Sequence, residues 1–310
     1  MKRLICLLMA MTLLLCGCAN AKEPVQETIF SMNTVMDLKV WGKDAEEAMT
    51  QIKHILTDLE NTWSVTSEDS LISHINAGKE MLNSIPTLLE HAQALSDRTG
   101  GSFDPHLHAV SKAWGFYNEA YRIPTDAEIA QALQNPQWDL GGILKGYAGQ
   151  QCADLLYTMD VDRALLVLGG NVQTFGSKSD GTPWQIGIQN PDGGKPLGII
   201  SVTGTTSVIT SGDYQRYFEQ DGITYHHILD PKTGYPADSG LRSVTVISRN
   251  GMTADALSTA LFVMGLKEAS NFWRMNTDFE AVFVTGEGKI YATEGADLSG
   301  CVFEVITREY

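Results

Sequence analysis

The sequence predicts an α+β fold, with mixed or antiparallel sheets and packed helices. Segments with alternating apolar and polar side chains, typical of strands, are interspersed with segments whose apolar residues recur at helical spacing. They lack the strict strand–helix–strand alternation of a parallel α/β sheet. With 43% hydrophobic residues and no later repeat, residues 28–310 are long enough to form a single globular body, built as one core or two intimately packed lobes.

The first half of the chain predicts one strand followed by four helices. Residues 36–41 alternate apolar and polar side chains, which favours a strand. Helix start signals are Ser84 with Pro86, and the capping-box spacing of Thr125 with Glu128. The helices are expected at residues 45–59 and 84–98, from residue 125 onward, and at 147–156.

The second half predicts mainly strands and two hairpins. Asp221-Gly222 is a turn signal inside the first hairpin, at residues 218–228. Gly265 is expected to end a helix that covers residues 253–264. Further strands are expected at residues 164–168, 184–189, 199–202 and 243–248, and a second hairpin at 281–293.

The N-terminus has the order of a secretory signal peptide. Lys2 and Arg3 precede an apolar run at residues 4–15, which is shorter than the ~20 residues that a membrane-spanning helix needs. The small residues before Cys18 resemble a bacterial lipobox, in which the cysteine becomes the lipidated first residue. We therefore expect residues 1–17 to be removed; an ordinary cleaved signal with incidental cysteines is the alternative.

This leader predicts an exported protein, lipid-anchored to a bacterial membrane on its periplasmic or outer face. Residues 18–27 are polar and unpatterned and are expected to form a lipidated tether to the body. Removal of residues 1–17 takes away two positive charges and changes the formal net charge from −15 to −17, which argues against nucleic acid as a partner. Cys152 and Cys301 remain, too few for a disulfide framework.

A glycine-containing segment at residues 139–146 is the first candidate site. Gly141 and Gly142 allow the backbone to approach a ligand closely, and Lys145 places a cation at the start of a helix, as a phosphate site requires. The spacing matches neither a Walker loop nor a dinucleotide fingerprint. The alternative, which local grounds favour, is a tight turn that leads into a helix.

The second candidate is the start of the helix near residue 253. Asp255 and Thr259 are four residues apart and therefore project from one face of a helix. A carboxylate and a hydroxyl can share Mg2+, which takes oxygen ligands and often completes its shell with substrate phosphates. The alternative is helix capping, with Thr253 as the N-cap and Asp255 interacting with the helix dipole.

Histidines and aromatic residues provide weaker signals. His226 and His227 end a predicted strand, so their side chains point to opposite faces and at most one faces a given site. His106 and His108 would share a side only in an extended segment, and no third ligand completes a zinc site. Trp63, Phe103 and Trp114 could form apolar walls for a ring system, although most aromatic residues are core.

These segments, taken in order, resemble the ApbE family of FAD:protein FMN transferases, and the resemblance spans nearly the whole chain after the leader. The corresponding blocks are Met32-Asn33-Thr34, Ser102-Phe103-Asp104-Pro105, Trp114-Gly115-Phe116, residues 139–147, Leu168-Gly169-Gly170-Asn171, Thr210-Ser211-Gly212-Asp213-Tyr214, residues 227–236 and residues 253–265. The resemblance implies an ApbE-type, T-fold-like body.

The resemblance also implies the site residues. Mg2+ would be held by the Gly142 carbonyl, Asp255 and Thr259. The chain departs from the usual pattern at Asn33, where glycine is usual, and at Trp63, where tyrosine is common. FAD contacts are implied at Met32, Trp63, Ser102, Phe103, Asp104, Asp139, Lys145 and Leu229.

The activity implied by the resemblance is Mg2+-dependent transfer of FMN from FAD to a threonine or serine hydroxyl of an acceptor flavoprotein, with release of AMP. His227 or Asp255 would take the acceptor proton. The expected acceptors are subunits of membrane redox complexes, of the sodium-translocating NADH:quinone oxidoreductase or Rnf type, or other exported flavoproteins. FAD pyrophosphatase activity and non-catalytic FAD binding are the alternatives.

Overall fold

The computed structural model describes residues 23–80 and 86–308. The predicted signal peptide, the lipidation residue Cys18, the first part of the tether and the helix-start residue Ser84 lie outside these ranges. In the described part of the chain, no helix is both long enough and apolar enough to cross a membrane.

Seven helices and fourteen strands form in the described residues. The helices are α1 (Ala45–Trp63), α2 (Leu71–Asn76), α3 (Thr87–Arg98), α4 (His108–Trp114), α5 (Asp126–Leu133), α6 (Leu144–Leu156) and α7 (Gly251–Met275). The strands are β1 (Val25–Ser31), β2 (Thr34–Gly42), β3 (Val161–Leu168), β4 (Asn171–Phe175), β5 (Trp184–Ile188), β6 (Gly198–Val202), β7 (Thr206–Gly212), β8 (Tyr217–Gln220), β9 (Ile223–His226), β10 (Leu241–Ser248), β11 (Phe279–Thr285), β12 (Ile290–Thr293), β13 (Leu298–Ser299) and β14 (Glu304–Ile306).

A nine-stranded sheet organises the molecule, in the order β1-β2-β3-β4-β7-β10-β11-β12-β14. Its strand pairs are antiparallel except β12 with β14, which is parallel. Apolar side chains on one face pack against α1 and α6 at one end and against α7 at the other. The opposite face packs against a three-stranded sheet, β13-β6-β5. This architecture confirms the α+β prediction.

Most elements expected from the sequence are present within a few residues of their predicted bounds. The hairpin around Asp221-Gly222 is β8 paired with β9, and the C-terminal hairpin is β11 paired with β12. The capping box also forms: the Glu128 N–H donates to the Thr125 hydroxyl, and the Thr125 N–H donates to the Glu128 carboxylate. Local pattern and capping chemistry therefore determine these elements.

The boundary between tether and body needs a correction. Strand β1 begins at Val25, opposite Val40 of β2, so residues 25–27 belong to the sheet and not to the tether. The polar residues at the start of β1 gave no strand pattern in the sequence. An edge strand of this kind is stabilised by backbone hydrogen bonds to its neighbour and not by an apolar face alone. Lys53 on α1 also forms a salt bridge with Glu27 at 2.9 Å.

The capping interpretation of α7 is wrong. Asn250 is the N-cap, and its side chain accepts the Thr253 N–H at 2.9 Å, so Thr253 lies inside the helix. The predicted end at Gly265 is a kink: its φ of 73° is not helical, but helix continues to Met275. Glycine adopts this left-handed angle without the steric cost that a Cβ would add.

Helices α6 and α7 meet through a pair of glycines near their N-termini. A Cβ placed on Gly146 would lie 2.1 Å from the Gly251 carbonyl oxygen and 2.6 Å from the Cβ of Asp255. A Cβ on Gly251 would lie 2.3 Å from the Gly146 carbonyl oxygen. Only glycine permits this approach, which brings the start of α7 against the start of α6.

Candidate active site

One cavity of about 450 Å³ is lined by every residue of the body that the family resemblance implied for the site. The size is within the range of small-molecule sites. The residues come from loops and element ends that are far apart in the chain. They are Met32, Trp63, Ser102, Phe103, Asp104, Asp139, Gly142, Lys145, His227, Leu229, Asp255 and Thr259.

Asp255 is the buried acid of the cavity. It lies in the first turns of α7 and is only 4% exposed. One carboxylate oxygen accepts the Gly146 N–H at 2.8 Å, and the other accepts the Asn171 side-chain amide at 3.0 Å. The side chain therefore interacts with groups outside its own helix, which helix capping alone does not explain. Each oxygen keeps a lone pair for a further partner.

Gly142 lies beside Thr259. A Cβ on Gly142 would be 3.5 Å from the Thr259 hydroxyl oxygen. At this point of a helix start, the Gly146 N–H would ordinarily donate to the carbonyl four residues earlier, which is that of Gly142. It donates to Asp255 instead, so the Gly142 carbonyl keeps its capacity to accept another group.

These three groups fit Mg2+ chemically. Asp255, Thr259 and the Gly142 carbonyl offer a carboxylate, a hydroxyl and a peptide oxygen, the hard ligands that Mg2+ takes in proteins. Within the described residues, no cluster of three histidine, cysteine or acidic side chains could hold a metal by itself. An ion bound here would therefore complete its shell with substrate or water oxygens, as Mg2+ commonly does.

Lys145 and Arg216 provide the positive charge of the cavity. Lys145 is the second residue of α6, where the helix N-terminus adds partial positive charge. Arg216 precedes β8 and was not predicted from the sequence. Together, the two cations can offset the charge of a bound pyrophosphate.

His227 lies at the cavity wall immediately after β9. Its Nδ1 is 3.2 Å from the Arg216 carbonyl oxygen, so Nδ1 carries the hydrogen and Nε2 has the free lone pair. Burial and the neighbouring Arg216 charge lower the pKa of His227 to about 3. The imidazole is therefore neutral at pH 7 and can accept a proton at Nε2.

Asp139 is held in place by two donors. Its carboxylate accepts the Gly141 N–H at 2.9 Å and the Tyr117 hydroxyl. Burial and the Asp139 charge raise the pKa of Tyr117 well above its ordinary value, so the phenol remains a donor. This arrangement fixes the loop that carries Gly142.

The apolar wall of the cavity consists of Met32, Trp63 and Phe103, which belong to one hydrophobic cluster. Met32 and Asn33 form a two-residue turn between β1 and β2 with φ of 50° and 58°. This turn requires positive φ at both positions, which asparagine tolerates well and methionine does not. Asn33 thus fits a position where glycine is usual, and the strained Met32 lines the cavity.

Several candidate residues lie elsewhere. Trp114 is fully buried and its indole N–H donates to the Gly234 carbonyl at 2.8 Å, so it is a core residue. His108 begins α4, so the segment with His106 is not extended and no zinc pair forms. His226 packs edge-on against Phe262.

Asn171 and Ser211 line the cavity although they were not assigned as site residues. Asn171 begins β4 and hydrogen-bonds Asp255, and Ser211 lies on β7. Both stand in sequence blocks that carry the family resemblance, which was the available signal. Their roles depend on partners from other elements, so local sequence could not reveal them.

A cavity with an oxygen-rich corner, two cations and an apolar wall is typical of an enzyme site, and its lining suits a ligand with both phosphate and a ring system. The profile of the ApbE family matches residues 32–283. The chain therefore belongs to the ApbE family.

Curated relatives and solved structures agree with this assignment. The chain is 34% identical to the FAD:protein FMN transferase of Klebsiella pneumoniae, over 82% of this chain and 87% of that protein. It is 30% identical to the Treponema pallidum FAD:protein FMN transferase, over 85% of each. The ApbE crystal structure from Thermotoga maritima superimposes with a TM-score of 0.80 at 32% identity, over 88% of this chain and 97% of that one.

Proposed function

We propose that the protein transfers FMN from FAD to a threonine or serine hydroxyl of an acceptor protein, in a Mg2+-dependent reaction that releases AMP. One observation carries the proposal: the predicted FAD contacts, the oxygen donors for Mg2+ and a neutral histidine line the same cavity. Family membership supports the transferase class, since the curated relatives carry that name.

The oxygen donors and the cations would fix the pyrophosphate of FAD. Asp255, Thr259 and the Gly142 carbonyl would hold Mg2+, which supplies Lewis-acid charge to the phosphate oxygens when bound. Lys145 and Arg216 would bind the remaining phosphate charge. The apolar wall would position a ring of the substrate by stacking. Catalysis would then consist of orientation and charge stabilisation, as in other phosphoryl transfers.

His227 is the proposed proton acceptor. The acceptor hydroxyl oxygen forms a bond to the FMN-side phosphorus, the bond from that phosphorus to the bridging oxygen breaks, and AMP leaves with that oxygen. The hydroxyl proton passes to Nε2 of His227. Bound phosphate would offset the Arg216 charge and raise the pKa of the imidazole towards a more effective value. The Asp255 carboxylate accepts from Gly146 and Asn171 and would use its remaining lone pairs to hold Mg2+, so it is the less available base.

The test is an assay with purified protein, FAD, Mg2+ and an acceptor flavoprotein domain. We expect the mass of the acceptor to increase by one FMN moiety and AMP to appear in equal amount. Chelation with EDTA should abolish both products, and excess Mg2+ should restore them.

Other outcomes would contradict the proposal in distinct ways. Release of FMN and AMP with an unmodified acceptor would indicate an FAD pyrophosphatase with water as the nucleophile. FAD that binds but stays intact for hours with Mg2+ would indicate a binding protein. Replacement of the modified acceptor residue by alanine serves as the control for site-specific attachment.

We also propose that the protein is exported and lipid-anchored through Cys18, and that its acceptors are exported flavoproteins or subunits of membrane redox complexes. The basic, apolar and small-residue order before Cys18 supports the anchor. In a bacterial host, labelled palmitate should be incorporated by the full-length protein and not by Cys18→Ser. Equal labelling of the two proteins would contradict the anchor.

A further inference from the structure

Three hydroxyl groups form a chain beside the candidate metal corner. The Ser211 oxygen on β7 lies 2.7 Å from the Ser258 oxygen and 3.2 Å from the Thr259 oxygen. The Ser258 oxygen in turn lies 2.8 Å from the backbone carbonyl oxygen of Asp255. The chain therefore connects a strand of the central sheet to the first turns of α7.

Only one arrangement of hydrogens satisfies all three contacts. A carbonyl can only accept, so Ser258 donates its single hydrogen to the Asp255 carbonyl. Ser258 must then accept from Ser211, whose single hydrogen is thereby used. Ser211 can only accept from Thr259. The direction of the chain is thus from Thr259 to Ser211 to Ser258 to the Asp255 carbonyl.

This direction determines how Thr259 meets the cavity. Its hydrogen points towards Ser211, so both lone pairs of its oxygen are free. A helical threonine hydroxyl otherwise tends to donate to the carbonyl four residues earlier, which here is the Asp255 carbonyl already bonded by Ser258. A hydroxyl that binds a cation must present a lone pair and direct its hydrogen elsewhere, and Ser211 is the group that accepts this hydrogen.

We propose that Ser211 is a positioning residue for a divalent cation: its hydroxyl orients the Thr259 oxygen as a metal ligand without contacting the metal itself. The inference rests on the proposed function, because it assumes that the cation is held beside Asp255 and Thr259. Groups that orient metal ligands in this way typically change metal affinity by about 10- to 100-fold when removed.

The test measures cation binding directly, with Mn2+ as a paramagnetic probe for Mg2+. Free Mn2+ is quantified by electron paramagnetic resonance during titration of the purified protein in the presence of FAD. We expect Ser211→Ala to weaken Mn2+ binding by roughly tenfold or more, and Ser211→Thr, which restores the hydroxyl, to recover most of the affinity. Direct FAD binding without metal should change little.

Ser207→Ala is the matched control. Ser207 lies on the same strand, is buried, and hydrogen-bonds Gln173 away from the cavity lining, so its loss should leave Mn2+ affinity unchanged. Ser258→Ala offers a second test if Ser211→Ala folds poorly. It frees the Ser211 hydrogen to turn towards Thr259, so it should also weaken Mn2+ binding, and the double variant should show less than the sum of the two effects.

The outcomes separate this inference from the proposed function. Unchanged Mn2+ affinity in both Ser211→Ala and Ser258→Ala, with wild-type binding intact, would overturn the hydroxyl chain and leave the metal-dependent transferase standing. A wild-type protein that binds no Mn2+ with FAD present would overturn the metal assignment itself and the inference with it.

Discussion

The two walls of the cavity differ in how tightly the fold constrains them. The polar wall, formed by Gly142, Lys145, Asn171, Asp255 and Thr259, is assembled where α6 and α7 touch backbone to backbone. The apolar wall of Met32, Trp63 and Phe103 comes from a hairpin turn, a helix end and a loop. Hydrogen bonds with fixed direction hold the first wall, whereas non-directional packing holds the second.

This difference explains where the chain departs from the usual family pattern. Asn33 and Trp63 both belong to the turn and helix end around the apolar wall. Packing and stacking tolerate a change of aromatic ring better than a hydrogen-bonded carboxylate tolerates a change of donor. Substitutions on the polar wall should therefore reduce activity more than substitutions on the apolar wall.

The largest loss is expected for Asp255→Asn. Both carboxylate oxygens accept hydrogen bonds, so the asparagine NH2 group would face a donor, either the Gly146 N–H or the Asn171 amide. The substitution would also remove the negative charge offered to Mg2+. Transfer activity should fall by more than about 100-fold, measured as FMN attached to the acceptor per minute. Asp154→Asn, exposed on α6, is the control, and a comparable loss there would contradict a specific role.

Gly146→Ala should destabilise the fold at the contact between α6 and α7. The new Cβ would overlap the Gly251 carbonyl and the Asp255 side chain, so α6 and α7 would have to separate. The free energy of unfolding should fall by about 1–3 kcal/mol, as measured by urea denaturation. Gly286→Ala, whose Cβ would meet only the Gly240 carbonyl at 3.7 Å, should be nearly neutral.

Trp63 tests the tolerance of the apolar wall. Trp63→Ala removes a stacking face, so KM for FAD should rise roughly tenfold. Trp63→Tyr keeps an aromatic ring and should change KM by less than about threefold. The KM values are read from acceptor labelling at varied FAD. If Trp63→Tyr were as damaging as Trp63→Ala, the contrast between the two walls would fail.

The smallest effect concerns His227 and pH. The pKa of His227 is lowered to about 3 in the folded protein and is about 6.5 in an unfolded chain. Between about pH 3 and pH 6.5 the unfolded state binds more protons at His227 than the folded state does. The free energy of unfolding that this residue contributes is therefore fully present above about pH 6.5 and is lost as the pH falls. His227→Asn should therefore reduce the drop in Tm between pH 7 and pH 5 by a few degrees, measured by calorimetry without FAD.

His54→Asn provides the comparison for this pH effect. His54 is exposed on α1, and its replacement should leave the pH dependence of Tm as in the wild type. An identical pH dependence in wild type and His227→Asn would show that His227 is not desolvated in the folded protein.

The sequence predicted the elements that depend on residues close together in the chain better than those that depend on distant residues. The capping box of α5 and the two hairpins depend on residues a few positions apart, and the sequence predicted them. Strand β1 was assigned in part to a tether, because its polar residues join the sheet only through pairing with β2. The Thr253 cap was wrong for a similar reason, since Asn250 lies closer to the true start of α7.

The sequence by itself predicted which segments carry phosphate-, metal- and ring-binding chemistry, and the family resemblance joined them into one predicted site. Only the tertiary structure decided that the Gly146 N–H bonds Asp255, across 109 positions in the chain, and that Ser211 accepts the hydrogen of Thr259. The physical reason is the close approach of Gly146 and Gly251. It sets the distance between two helix starts, and such packing between distant segments has no signature in the local pattern of either one.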